Sequence, residues 1–155
     1  AYLNDWEKVQ RTERFRELDI YKLNDNFVPN WGYVSNNVRN YASLTEGINM
    51  VLADKQFNPL QDSFMINNQI NLVPGKLPEY GINKVSPVQY QFKVAGSQTP
   101  YILILSVSYH PNWKALIGDR ELTNHLVVNG YANGWLVDKK GDYTIDVKFK
   151  TWPWE

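Results

Sequence analysis

Mainly β, as an antiparallel sandwich of jelly-roll kind with one or two short helices, is the fold class the sequence predicts, and three observations carry it. Aromatics form 14% of the chain and are interleaved with 17 asparagines and a scatter of Gly and Pro, a composition of strands and turns rather than of long helices. Residues 143–149 (YTIDVKF) set Tyr143, Ile145, Val147 and Phe149 against Thr144, Asp146 and Lys148, the period of two that a half-buried strand requires. Nine short runs of strand character recur with turn residues between them, the spacing of a two-sheet protein. At 155 residues the chain reads as a single domain with room for its own core.

In chain order, the first fourteen residues place Trp6 and Val9 on one side of a second, short helix, and strands are expected at 15–23 and 27–34. Ser43 with Glu46 three residues on forms a capping box, and Leu44, Ile48, Val51 and Leu52 then recur at helical spacing to about residue 53. That helix is expected to cover one face or end of the sandwich. A strand follows at 63–66, and residues 71–87, with three prolines and two glycines, read as a long crossing connection. Residues 88–94 alternate through Val88, Tyr90, Phe92 and Val94, whereas YILILSV at 101–107 is apolar on both faces and reads as a central strand. Strands at 114–118, 125–128, 135–138 and 143–149 complete the set.

Composition excludes several functions. Sixteen basic and sixteen acidic residues cancel without a block of like charge, so the electrostatic footprint of a nucleic-acid binder is missing. The absence of cysteine removes disulfides, thiolate metal sites and thiol catalysis together. The longest apolar run, Tyr101–Leu105, is too short to span a bilayer, and the amino end lacks a signal-peptide pattern. A start at Ala1 and a WPWE end at 152–155 lead to the expectation of an excised soluble fragment of a larger membrane protein. The terminal indoles either precede a transmembrane helix or pack on the domain.

No Walker loop, dinucleotide fingerprint, GxSxG elbow or HExxH occurs. His110 and His125 carry no metal-ligand spacing, and Asp119 with Glu121 reads as a solvated turn before it reads as a glycosidase pair. Asn24-Asp25-Asn26 has the oxygens for calcium but the composition of an ordinary turn. Neither a cofactor nor a metal is called for.

One stretch does carry chemistry. Tyr109 to Trp135 (YHPNWKALIGDRELTNHLVVNGYANGW) holds two tryptophans, two tyrosines, both histidines and four asparagines in 27 residues. Rings offer a face to the C–H side of a pyranose, and carboxamides donate and accept in the plane of its hydroxyls. Within it, Asn129-Gly130 is the favoured type I′ turn pair, Gly134 supplies positive φ or close approach, and Pro111 forces an extended entry to a turn. Trp113 and Trp135 either plug the core or face outward, the first being the commoner role of large aromatics. Tyr109, Asn112, Tyr131 and Asn133 fall nearer the turn tips and are the expected exposed contacts. Trp31, with Tyr33 in NWGY, forms a second platform. The ligand-binding set is therefore Tyr109, Asn112, Trp113, Tyr131, Asn133, Trp135 and Trp31.

SYHPNWKA (Ser108–Ala115) followed by VNGYANGW (Val128–Trp135) resembles the motif pair closing the extracytoplasmic region of multi-pass membrane glycosyltransferases of the C-type superfamily and of related membrane proteins. DIYKLNDNFVP (Asp19–Pro29) and VSPVQYQFKV (Val85–Val94) resemble earlier pieces of that region, so the likeness spans about residues 15–150. Many members have glycine before the motif tryptophan where this chain has Asn112. The family's catalytic acids lie in loops between transmembrane helices, to which nothing here corresponds, so the resemblance implies no catalytic residue. It implies a noncatalytic, carbohydrate-binding-module-like accessory domain on the extracytoplasmic face. Its partners would be a carbohydrate or glycolipid and the membrane-embedded remainder of the parent chain. A module that packs on that remainder without binding sugar is the alternative. A free-standing glycoside hydrolase or lyase would need a carboxylate pair about 5–9.5 Å apart in a cleft.

Overall fold

The computed structural model describes residues 9–15, 18–23, 31–68 and 70–150. In chain order the elements are β1 (Val9–Phe15), β2 (Leu18–Leu23), β3 (Gly32–Ser35), β4 (Asn37–Tyr41), α1 (Leu44–Ala53), β5 (Asp62–Ile66), β6 (Glu79–Ser86) and β7 (Gln89–Ser97). They continue with β8 (Tyr101–Ser108), β9 (Trp113–Ile117), β10 (Arg120–Glu121), β11 (His125–Val128), β12 (Ala132–Val137) and β13 (Gly141–Phe149). An antiparallel five-stranded sheet runs β10-β9-β13-β7-β6, and an antiparallel four-stranded sheet runs β11-β12-β8-β3. β1 and β2 form an antiparallel hairpin, and β4 pairs in parallel with β5.

The two larger sheets make the sandwich. Tyr90, Phe92, Val94, Ala115, Ile145 and Val147 of the five-stranded sheet meet Val34, Leu103, Leu105, Trp135 and Val137 of the four-stranded one in a closed core. Alternation places them there, since every second residue of each strand faces its neighbour sheet. β8 departs from alternation for a visible reason. Tyr101, Leu103 and Leu105 face the inter-sheet core, while Ile102 and Ile104 face a second core with Tyr33, Met65, Val128 and Ala132. The four-stranded sheet is thus buried on both sides, and its central strand is apolar on both.

The layer covering that outer face is built from β4, α1 and β5. Ser43 Oγ accepts from Glu46 N at 3.2 Å, and Glu46 Oε2 accepts from Ala42 N at 2.9 Å, so the capping box closes one residue before the cap. The helix seats on its strands through Gly47, where an added Cβ would lie 3.0 Å from the Phe64 ring and 3.1 Å from that of Tyr41. Close approach of helix to strand needs the missing side chain. Asn129 joins this layer to the sandwich. Its N–H donates to Phe64 O at 2.8 Å, its Oδ1 accepts from Phe64 N at 2.9 Å, and its Nδ2 donates to the Tyr33 hydroxyl at 2.7 Å.

Several expectations need correction. Residues 9–14 lie in β1 rather than in a second helix, and 15–23 is not one strand, since residue 15 ends β1 and 18–23 form the antiparallel partner β2; Trp6 lies outside the described residues. Residues 79–86 of the expected connection form the edge strand β6, whose polar, exposed sequence hides its pairing with β7. β4 and β10 had no apolar pattern to announce them. Among the described residues, no helix is long and apolar enough to cross a membrane.

Candidate functional site

The ladder between β12 and β8 breaks at one point, and the break organises the surface around it. Ala132 pairs with Ser108 but Asn133 pairs with Leu105, so β8 carries extra residues there and carbonyls are left without strand partners. Asn133, fully buried, supplies the missing donors: Nδ2 reaches Val107 O at 2.9 Å and Ser108 O at 3.2 Å. Its Oδ1 accepts from His110 N and from His125 Nε2, each at 3.1 Å. With both carboxamide protons directed at carbonyls, Oδ1 is acceptor only, which places the imidazole proton on Nε2.

That bond aims the His125 ring. It stacks on Trp135 with centroids 4.6 Å apart and planes 3° from parallel, the two residues being direct partners across β11 and β12. The opposite neighbour is Tyr109, 4.8 Å away and tilted 35°. Burial depresses the His125 pKa, with the Asn133 hydrogen bond acting against it, so the imidazole sits neutral between the two rings at ordinary pH. Tyr109 is the outermost ring of this stack and is 37% exposed; Tyr131, tied to it by a Tyr109 N to Tyr131 O bond of 2.6 Å, is 50% exposed.

The turn below Tyr131 follows the expected geometry. Asn129 and Gly130 take φ of 54° and 78°, and Tyr131 N donates to Val128 O at 3.1 Å, as a type I′ turn requires. Gly134 serves close approach within β12, where a Cβ would fall 2.3 Å from Val128 Cγ2. On the other side of Tyr109, His110 packs on Phe149 at 5.0 Å and Phe149 on Trp113 at 5.2 Å. His110 Nδ1 accepts from Asn112 N at 3.1 Å and Asn112 O accepts from Lys150 N at 2.9 Å, which leaves Asn112 half-buried with its backbone engaged.

The seven expected contacts therefore separate. Asn133 is a buried brace, not a turn-tip contact, because the bulged strand needs its amide. Trp113 and Trp135 are core, and Trp135 Nε1 is buried without a hydrogen-bond partner among the described residues. Tyr109 and Tyr131 share one surface, with Asn112 close in sequence. Trp31 stands elsewhere: 42% exposed, at φ 60°, 5.9 Å from Tyr90 and with Lys84 Nζ 3.7 Å above its ring. Its NWGY neighbour Tyr33 is buried in the outer core, so the two form no shared platform. A positive φ at a bulky residue is strained, and Trp31 holds it with its indole between Tyr90 and Lys84.

Sequence reasoning missed His125 as a member of the stack; its register opposite Trp135 was the signal. Glu121 is paired with Lys114 at 3.0 Å, and no cluster of three or more metal-ligating side chains occurs among the described residues. Asn24-Asp25-Asn26 and the WPWE end lie outside them. No family model, no curated protein and no solved structure matches the chain.

Proposed function

We propose that this domain is a noncatalytic carbohydrate-binding module, an extracytoplasmic accessory domain of a glycan-processing membrane protein. The observation that carries the reading is the ring stack Trp135–His125–Tyr109, which fixes Tyr109 as a rigid platform with its outer side toward solvent. A pyranose laid on that ring would have Tyr131 beside it and the Asn112 carboxamide as the nearest amide in sequence. The likeness of SYHPNWKA and VNGYANGW to the glycosyltransferase motifs supports the same reading. Binding to so shallow a surface is weak, on the order of mM to μM.

The test is a titration of the 155-residue chain with a panel of neutral glycans, followed by amide shifts in NMR. Saturable shifts at Tyr109 and Tyr131 that vanish in Tyr109→Ala are the expected result. Silence at every glycan up to high mM sugar would sink the reading.

One observation favours a second role, that of a module packing on a membrane-embedded glycosyltransferase. Leu44, Ile48 and Leu52 form an exposed stripe along α1, and Leu44 lies against Gly130 beneath Tyr131. If that role holds, replacing the stripe with glutamines abolishes association with the membrane-embedded remainder expressed as a separate polypeptide, whereas the sugar reading predicts no change.

A further inference from the structure

The chain crosses from the five-stranded to the four-stranded sheet through residues 122–124, and a cleft opens there. Beside it lies β10, only Arg120 and Glu121 long and at the edge of the five-stranded sheet. Asp138 and Lys139, which follow β12, also line the cleft, and the space is about 490 Å³, the size of small-ligand sites. Ile117, Leu122 and Leu136 form an apolar floor that continues into the two cores.

We propose that this cleft binds the carboxylated sugar unit, a uronic acid, of an acidic glycan. The proposal rests on the carbohydrate reading for the class of ligand, but it uses none of the same side chains. Charge decides the class. Glu121 is neutralised by Lys114 at 3.0 Å, which leaves Arg120 and Lys139 against Asp138 in the lining, an excess of one positive charge. One carboxylate matches that excess, and the Arg120 guanidinium presents the planar fork that a carboxylate accepts in two parallel bonds. A phosphate dianion would overshoot the charge and meet Asp138. A neutral sugar would forgo the charged pair and, with no aromatic ring in the lining, would have hydroxyl contacts alone and no stacking.

The hydroxyls have partners as well. Thr123, Asn124 and Asp138 border the floor, and neither their side chains nor that of Arg120 forms a hydrogen bond among the described residues. Their backbone is nevertheless held in place. Leu122 N donates to Ala115 O at 2.8 Å, Leu136 N to Asn124 O at 3.3 Å, and the Ser97 and Tyr143 hydroxyls both donate to Lys139 O at 2.8 Å. A fixed wall bearing free polar side chains is prepared for a ligand at low ordering cost.

The experiment follows backbone amides of the 155-residue chain by NMR during separate titrations with glucuronate, glucose and acetate. Glucuronate is expected to shift Arg120–Asn124 and Asp138–Lys140 saturably, glucose to leave them still, and acetate to bind at least about tenfold more weakly because it lacks hydroxyls. Arg120→Gln should weaken glucuronate by about tenfold, while Tyr109→Ala leaves it unchanged. Shifts confined to Tyr109 and Tyr131 would overturn the cleft and leave the platform standing. Equal responses to acetate and glucuronate, or retention of binding in Arg120→Gln, would overturn it too. Failure of every neutral glycan with glucuronate still bound in the cleft would instead remove the platform.

Discussion

Asn133 engages both amide protons and accepts twice at its oxygen while being fully buried. Asn133→Ala strands two carbonyls and two N–H groups, and an expected loss of about 2–4 kcal/mol should appear as a lower denaturant midpoint at unchanged slope. Asn133→Asp is expected to be at least as damaging at neutral pH, since a carboxylate has no proton for Val107 O or Ser108 O. Tyr109→Ala, by contrast, should change stability little and remove the neutral-glycan response. At this scale the expected contact set divides: Tyr109 and Tyr131 are exposed, whereas Asn133, Trp113 and Trp135 are buried. A turn-rich NGYANGW reads as exposed, and only the register break in β8 tells that one of its asparagines is needed inside. Tyr109 and Tyr131 were legible as surface because they flank the turns; Trp113 and Trp135, counted among the expected contacts with their orientation left open, take the commoner role of large rings and are buried.

Helix α1 inverts the usual arrangement of an amphipathic element. It buries Gly47, half-buries Val51, and leaves Leu44, Ile48 and Leu52 in solvent. Ile48→Lys is therefore expected to shift stability by no more than about 0.5 kcal/mol, where a buried isoleucine would cost several times that. Ser43→Ala, which removes the cap seen at Glu46 N, should cost about 0.5–2 kcal/mol; thermal unfolding of both variants checks the contrast. The helix itself was legible from Ser43, Glu46 and the apolar spacing. Its buried face was not, because a glycine that permits contact leaves no apolar mark in a periodicity count. The same limit hid β6 and β4, which are held by pairing and not by patterned burial.

At the scale of the whole molecule, three layers share the four-stranded sheet, and buried ionisable groups tie their stability to pH. The His125 pKa is lowered from 6.5 chiefly by burial; Lys114 reinforces that shift, and Asn133 and Glu121 oppose it. Its contribution is thus complete above 6.5 and is lost as pH falls from there through the folded-state value. Unfolding free energies at about pH 8 and about pH 5.5 should differ less in His125→Phe than in the parent chain. Tyr33 and Tyr101 are both pushed up by burial, Asn129 opposing at Tyr33 and Tyr143 adding at Tyr101. Each stays protonated in the fold, so stability should fall as pH rises past 10, the point at which an unfolded tyrosine ionises. The sandwich was legible because alternation and the doubly apolar β8 report burial directly. The outer layer was not, since its parallel pair rests on Asn129 and Tyr33, residues 96 apart in sequence.

The face-to-face contact of Trp135 with His125 has an optical consequence. An imidazolium quenches an indole excited state by accepting an electron from it, and a neutral imidazole does so far less. At 4.6 Å and near-parallel, the pair forms a built-in reporter. The emission lost on mild acidification, taken as the difference between the parent chain and Trp135→Phe, traces the titration of this one histidine without any added dye.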